Sequence, residues 1–322
     1  MKLSKHKIVF DPVLHKYTDE LGRVYTSATQ LLGEVTPEFN ARYWLMYKAL
    51  QAKGHKVRPD MPDNKFIIVD NNLCYIDDLY NSVKGILART EIQKINAEWE
   101  YTKDVACARG NEKHNYLEEC IKQSGQVKDF NIEGNALGFA LKINTKQDLS
   151  GSPLKYSDPL VYDLLTEYIE LGWTIYAEKR IYSPIHLVAG TIDLFLVRGN
   201  EFRIIDWKTN KDELHFTSGY YKKVNGIKSS EWIVTRDYLK QPLDNLMNCK
   251  GVIYTLQLSI YAYIAELWGL QCKGLQLCHF IPGNTPRLYS IQYDKKNVER
   301  LFNWKINKKV EDKPVKKLGI KI

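Results

Sequence analysis

Two aspartates and a lysine stand where one tight turn would bring them together. Gly199-Asn200 separates two apolar runs, 187–197 and 202–208, and both residue types tolerate the positive φ that a two-residue hairpin turn requires. With these two at the tip, cross-strand partners have numbers summing to 399, which predicts Asp193 opposite Asp206 and Thr191 opposite Lys208. Directly opposed side chains have Cβ atoms ~5 Å apart, where like charges repel, so a cation belongs between the two carboxylates. Alternation puts Lys208 on the face of Asp206, and Ile192, Leu194, Leu196, Ile205 and Trp207 on the other, so that one face is core and the other charged. Hard carboxylate oxygens suit Mg²⁺ or Mn²⁺, and a lysine beside them suits orienting a water or stabilising a developing anion. Standing alone, the same residues could equally be an ion-paired surface on a half-solvated sheet.

Two helices carry further candidates. His114 follows Gly110 by about one helical turn, so the small residue lies under the same face and would let the helix approach a sheet closely. Arg109 could contact a phosphate or pair locally. Gln257 and Tyr261 are i and i+4, where an amide and a phenol can jointly meet a backbone phosphate or a base; the alternative is a core tyrosine with a glutamine at its edge.

Gly190-Thr-Ile-Asp193 followed by Ile204-Ile-Asp206-Trp-Lys208-Thr209 resembles the signature of the PD-(D/E)XK nuclease superfamily, with Asp and then Asp/Glu-x-Lys on adjacent strands. Arg109-Gly110-Asn-Glu-Lys-His114 resembles the Gly-x-x-x-His helix of the RecB-like branch, and Gln257-Leu-Ser-Ile-Tyr261 its Gln-x-x-x-Tyr helix. The three motifs occur in the expected order and span about 104–281. The resemblance implies that His114, Asp193, Asp206 and the backbone carbonyl of Trp207 bind a divalent metal, that Lys208 is the catalytic lysine, and that Glu178 is a further acidic site member. It also implies DNA contacts for Gln257, Tyr261 and Arg109. Tyr25-Thr-Ser-Ala-Thr-Gln30 and a helix at 39–50 are similar to the leading region of phage-type exonucleases, which implies a helical cover over the site and a channel for one strand. The implied activity is metal-dependent cleavage of DNA as an exonuclease on ends or single strands, in recombination, repair or phage genome processing. A structure- or sequence-specific endonuclease and a catalytically silent nucleic-acid-binding protein are the alternatives. An iron–sulfur cluster, found in some relatives, is not expected, because closely spaced C-terminal cysteines are missing.

The elements that must position these residues read as follows. Residues 8–25 alternate apolar and polar types around Glu20-Leu21-Gly22, which suggests a hairpin, and Ser27 or Thr29 opens a helix. Residues 36–100 read as mostly helical, with a break at 54–64. Helices are expected at 104–121, 159–171 and 252–267, and strands at 174–182, 187–197, 202–208 and 275–281. This order predicts an α/β fold: a restriction-endonuclease-like mixed sheet flanked by helices, with a helical N-terminal region. Residues 1–100 form the accessory region, 101–300 the nuclease core with an insertion at about 211–251, and 301–322 a basic tail. Tyr220-Tyr-Lys-Lys223 and Trp232 make the insertion a candidate for gripping substrate, since aromatics interleaved with lysines can stack on unpaired bases.

Composition fits this reading. The chain has 322 residues, 46 Lys+Arg against 38 Asp+Glu and a hydrophobic fraction of 44%, which excludes disorder, collagen and coiled-coil rods. Of the net +8, the last twenty residues supply seven lysines against Glu311 and Asp312, and such a run attracts nucleic acid or is a solvated end. The resemblance implies DNA as the partner, with room for a recombination or replication protein. The six cysteines contain no C-x-x-C pair and read as reduced thiols, Cys278 as a core residue. The longest apolar run, 256–264, is far short of the ~20 residues that span a bilayer, and residues 1–7 lack a signal-like apolar stretch. A cytoplasmic place, in a bacterium or a phage-infected host, is the expectation.

Overall fold

The alternating residues at the start of the chain form an antiparallel meander, β1 (Ile8–Asp11), β2 (Lys16–Asp19) and β3 (Val24–Ser27). The structure is a computed structural model that describes residues 8–59, 65–124, 126–132, 135–143, 145, 149–224 and 227–311. Asp19 closes the second turn, accepting from the backbone of Leu21 and Arg23 and from the Tyr25 hydroxyl at 2.8 Å. Ser27 caps α1 (Ala28–Val35) in a reciprocal box with Gln30, and Leu31, Leu32 and Val35 are buried.

Residues 38–111 make a compact unit of their own, whereas 1–37 join 112–322 in the other. The accessory region expected over 1–100 is therefore redrawn: its first strands and helix belong to the main sheet. The small unit holds α2 (Ala41–Ala52), a three-stranded sheet of β4 (Val57–Pro59), β5 (Phe66–Val69) and β6 (Asn72–Tyr75), then α3 (Ile76–Asn81) and the first part of α4 (Val83–Lys122). The sheet corrects the helical reading of 36–100. Asp70 and Asn71 both take positive φ, 51° and 70°, and so turn β5 tightly onto β6.

The main unit continues through β7 (Gln126–Ile132), β8 (Asn135–Ile143), α5 (Leu154–Ser157) and α6 (Pro159–Glu170). β9 (Thr174–Ser183), β10 (Val188–Arg198) and β11 (Glu201–Lys208) follow, then a hairpin, β12 (Gly219–Val224) and β13 (Ile227–Val234). α7 (Lys250–Leu267), β14 (Gln271–His279), β15 (Arg287–Ile291) and α8 (Lys295–Glu311) complete it. The result is a mixed, ten-stranded sheet with helices against it, in which β11 runs parallel to β14 and antiparallel to β10. Among the described residues no helix is long and apolar enough to cross a membrane.

Both faces of the sheet are core, which corrects the expectation of one charged face. Phe195, Phe202 and Ile204 pack with α1, α7 and α8, whereas Leu194, Leu196, Ile205 and Trp207 pack with Leu117 and Ile121 of α4 and with α6. Helical cover on either side explains the apolar runs, since a sheet buried on both faces does not alternate. One further boundary moves. Residues 301–311 continue α8, with Leu301 and Phe302 buried, because Val298, Leu301 and Phe302 recur at helical spacing; the expected tail keeps only 312–322, outside the described residues. The 211–251 segment contains the β12–β13 hairpin, a separate two-stranded sheet.

Candidate active site

Gly199 takes φ of 60° at the hairpin tip, and β10 and β11 then pair in the predicted register from Arg198↔Glu201 to Leu194↔Ile205. There the ladder stops. The next partner of that β10 edge is β3, parallel, at Val188 and Ala189, so residues 190–193 lie in a fork between two strands. Asp193 and Asp206 are consequently not a directly facing pair, and Thr191 is not opposite Lys208: the Asp193 carboxylate takes the place of the backbone, Oδ2 accepting the Trp207 N–H at 2.6 Å. On the other edge of β10, register places Glu178 across from Asp193, between Ala177↔Leu194 and Lys179↔Ile192. Glu178 has φ of 51°, a strained value for a residue with a β-carbon.

That irregularity reverses the alternation of both strands. Ile192 joins the α7 side of the core, not the side of Leu194 and Leu196 with which the sequence reading grouped it. Gly190 also faces α7, directly beneath the Tyr261 ring.

Side chains from α4, β11 and α7 converge on the fork. His114 arrives on α4, which is held by a Lys113–Asp158 ion pair and the burial of Leu117. Its Nε2 lies 3.2 Å from the Trp207 carbonyl and its Nδ1 3.9 Å from Asp193 Oδ1. A carbonyl only accepts, so Nε2 carries the proton and Nδ1 turns a lone pair toward Asp193. Burial lowers the His114 pKa, partly offset by Asp206, so the ring is neutral near pH 7. Lys208 sets its ammonium against Asp206 Oδ2 and donates to Gln257 Oε1 at 3.3 Å, and Gln257 Nε2 donates to the Tyr261 hydroxyl at 3.0 Å.

Asp193 and Asp206 are 8% and 3% exposed. Burial first, then the charges of Asp206 and Glu178, push the Asp193 carboxyl well above the usual range. Burial alone would lower the Lys208 ammonium, but Asp206 and Asp193 outweigh it and hold it above its ordinary value, so Lys208 is a cation and not a base. Asp206 Oδ2 is sealed from solvent and faces the Lys208 ammonium.

These features bear on a metal. Among the described residues no three His, Cys, Asp or Glu side chains are already gathered as a cage. The donor set nevertheless fits a hard cation: two buried carboxylates that repel one another, a carbonyl, and an imidazole lone pair directed at one of the carboxylates. Mg²⁺ characteristically takes one or two carboxylates and completes its shell with waters and substrate phosphate. No family model matches this chain, and no curated protein is significantly similar to it.

The other expected members are placed differently. Tyr261 is 3% exposed and the polar ends of Gln257 are taken by Lys208 and Tyr261, so this pair braces the lysine; the expected contact of Tyr261 with DNA is corrected, because its hydroxyl is inside the core. Arg109 falls in the 38–111 unit, whereas the fork belongs to the other. In the hairpin, Trp232 stacks on His215 with ring centroids 3.6 Å apart, meets the edge of Tyr221, and donates to Thr217, which leaves Tyr220 as the outward aromatic. Tyr254, overlooked in the sequence, has its ring 4.5 Å from Lys208 Nζ, and its position one turn before Gln257 was the available signal. All six cysteines are free, and Cys278 is fully buried in β14.

Proposed function

We propose that this chain is a metal-dependent nuclease of the restriction-endonuclease-like fold, hydrolysing DNA phosphodiester bonds as an exonuclease on ends or single strands. The observation that carries the reading is the fork at 190–193, where Asp193, Asp206 and Lys208 meet although the surrounding sheet would otherwise have zipped shut. Burying two carboxylates beside a lysine costs stability, and a charge cluster that a purely structural sheet would avoid fits a site.

Asp193, Asp206, His114 and the Trp207 carbonyl would hold Mg²⁺ or Mn²⁺, which supplies neutralisation of the phosphate charge when bound. The protein's own groups do the rest. Trp207 N–H fixes Asp193 Oδ2, so that Oδ1 is the oxygen left toward His114. Lys208 has three donors, of which Asp206 and Gln257 account for two; the third can orient a water or meet a phosphate oxygen. Its raised pKa keeps it able to stabilise negative charge that develops on phosphorus-bound oxygens.

The test is a time course on end-labelled linear and covalently closed circular DNA, single- and double-stranded, with Mg²⁺, Mn²⁺ or EDTA, beside Asp206→Ala. Metal-dependent loss of linear DNA with circles intact, absent in the variant, is expected. Cut circles would make the chain an endonuclease, and inertness on every substrate would leave a silent nucleic-acid-binding protein as the better account.

A further inference from the structure

Beside the fork, the same two strands carry a second polar cluster that the metal site does not use. Register places Arg180 of β9 directly across from Thr191 of β10, two residues from the Glu178 and Asp193 positions. Thr191 Oγ1 lies 3.0 Å from the hydroxyl of Tyr17, which reaches in from β2. Arg180 is exposed and Thr191 half-buried, and one guanidinium nitrogen of Arg180 makes a long contact, 3.5 Å, to the Ile8 carbonyl of β1. Tyr17 itself is 6% exposed, so the fork leaves a rim of one cation and one hydroxyl, with Tyr17 bracing the latter from below, where the N-terminal meander meets β9 and β10.

We propose that Arg180 and Thr191, the latter braced by the buried Tyr17 hydroxyl, form a subsite for a phosphodiester of the bound strand, next to the one at the Asp193–Asp206 centre. The proposal rests on the nuclease reading above and says how its substrate lies. With the buried Tyr17 hydroxyl donating to Thr191 Oγ1, the threonine keeps its own proton to give, and a phosphate oxygen only accepts. Arg180 has five N–H groups in a fork that matches phosphate, and the Ile8 contact takes one. Two residues along a strand span ~7 Å, a step that suits successive phosphates of an extended nucleic-acid backbone. The acidic positions Glu178 and Asp193 lie two residues along their strands, so an anion settles at Arg180 and is excluded from the carboxylates unless a cation is present. That ordering would align the strand along β10 before chemistry.

The experiment uses the full chain, wild type, Arg180→Ala, Arg180→Lys and Thr191→Val, with end-labelled single-stranded oligonucleotides, each carrying one neutral methylphosphonate at a different linkage. Binding is measured in EDTA at several salt concentrations, and cleavage in Mg²⁺ or Mn²⁺. For wild type, one methylphosphonate position next to the cut linkage is expected to raise the Kd and KM about tenfold, the loss of a charged hydrogen bond. Arg180→Ala should show that loss on unmodified strands, indifference to the same methylphosphonate, and a salt slope lower by about one phosphate contact, while melting with wild type. Arg180→Lys should recover part of it. Arg180→Ala with wild-type affinity and slope, or with undiminished sensitivity to that methylphosphonate, overturns the subsite. Wild type that binds without cutting defeats the nuclease reading alone, since the binding arm still reads Arg180; wild type that neither binds nor cuts defeats both.

Discussion

Tyr261 closes over Gly190: a β-carbon at position 190 would stand 2.4 Å from Cε1 of its ring and 2.8 Å from its hydroxyl. The absent side chain on β10 is what lets α7 settle close enough for Gln257 to reach Lys208. Gly190→Ala must push the buried ring outward and draw Gln257 with it. Overpacking of this kind costs about 1–3 kcal/mol, to be seen as a lower unfolding midpoint, and the loss of cleavage should exceed what the lost folded fraction explains. Gly33→Ala, where nothing lies within 4 Å, is the matched control.

Tyr261→Phe separates bracing from DNA contact. The variant keeps the ring over Gly190 and removes the hydroxyl that accepts from Gln257 Nε2, leaving a buried amide donor without its partner. Such an orphan costs about 1–3 kcal/mol. Because the hydroxyl is buried, DNA affinity and KM should hold while kcat falls through a loosened Lys208. A raised KM with unchanged kcat would return Tyr261 to the substrate surface.

Why the sequence gathered the lysine and the two aspartates in one place but misplaced their neighbours follows from the range of each cause. Gly199-Asn200 acts over a few residues, and its turn alone sets the register down to Leu194↔Ile205. The fork depends on β3, which lies about 160 residues earlier and meets β10 at only Val188 and Ala189; no local pattern announces it. For the same reason the sum rule, continued past Leu194, paired Asp193 with Asp206 where the structure has a side chain bonded to a backbone amide. The shared face of Gln257 and Tyr261 was legible from their spacing, whereas their burial depends on Gly190. The sheet at β4–β6 was missed because Phe66-Ile-Ile-Val is too short an apolar run to separate strand from helix.

The reading of α8 is open to a stability measurement. Phe302 is 1% exposed and stacks on His186 with ring centroids 4.3 Å apart, and Lys305 donates to Thr26 Oγ1 at 2.7 Å. A helix so docked belongs to the fold. Phe302→Ala should cost about 3–5 kcal/mol, read from the urea midpoint. A midpoint equal to wild type would make residues from 301 onward the free tail that their lysines suggested.

Lys179 gives the molecule a pH dependence of its own. It is 1% exposed, on the α7 side of β9 with its ammonium 5.7 Å from the Trp268 ring centroid, and burial, aided by Arg180, pushes its pKa from 10.5 down to about 7. Between those two values the unfolded chain holds a proton that the folded chain has released. Stability therefore rises with pH across that window, and the full penalty of a buried ammonium is present below it. At 1.36 kcal/mol per pH unit the penalty has an upper bound of about 5 kcal/mol. Lys179→Met keeps the volume and forgoes the charge together with the contacts of the ammonium, the Trp268 ring among them, so a net gain of about 2–3 kcal/mol is expected near pH 6. The gain should shrink as pH rises through 7 and be gone near 10.5. Urea midpoints of both proteins from pH 6 to 10 decide it: a gap that does not change with pH would mean that the folded chain never releases this proton, and that the interior around β9 is far more polar than its apolar neighbours indicate.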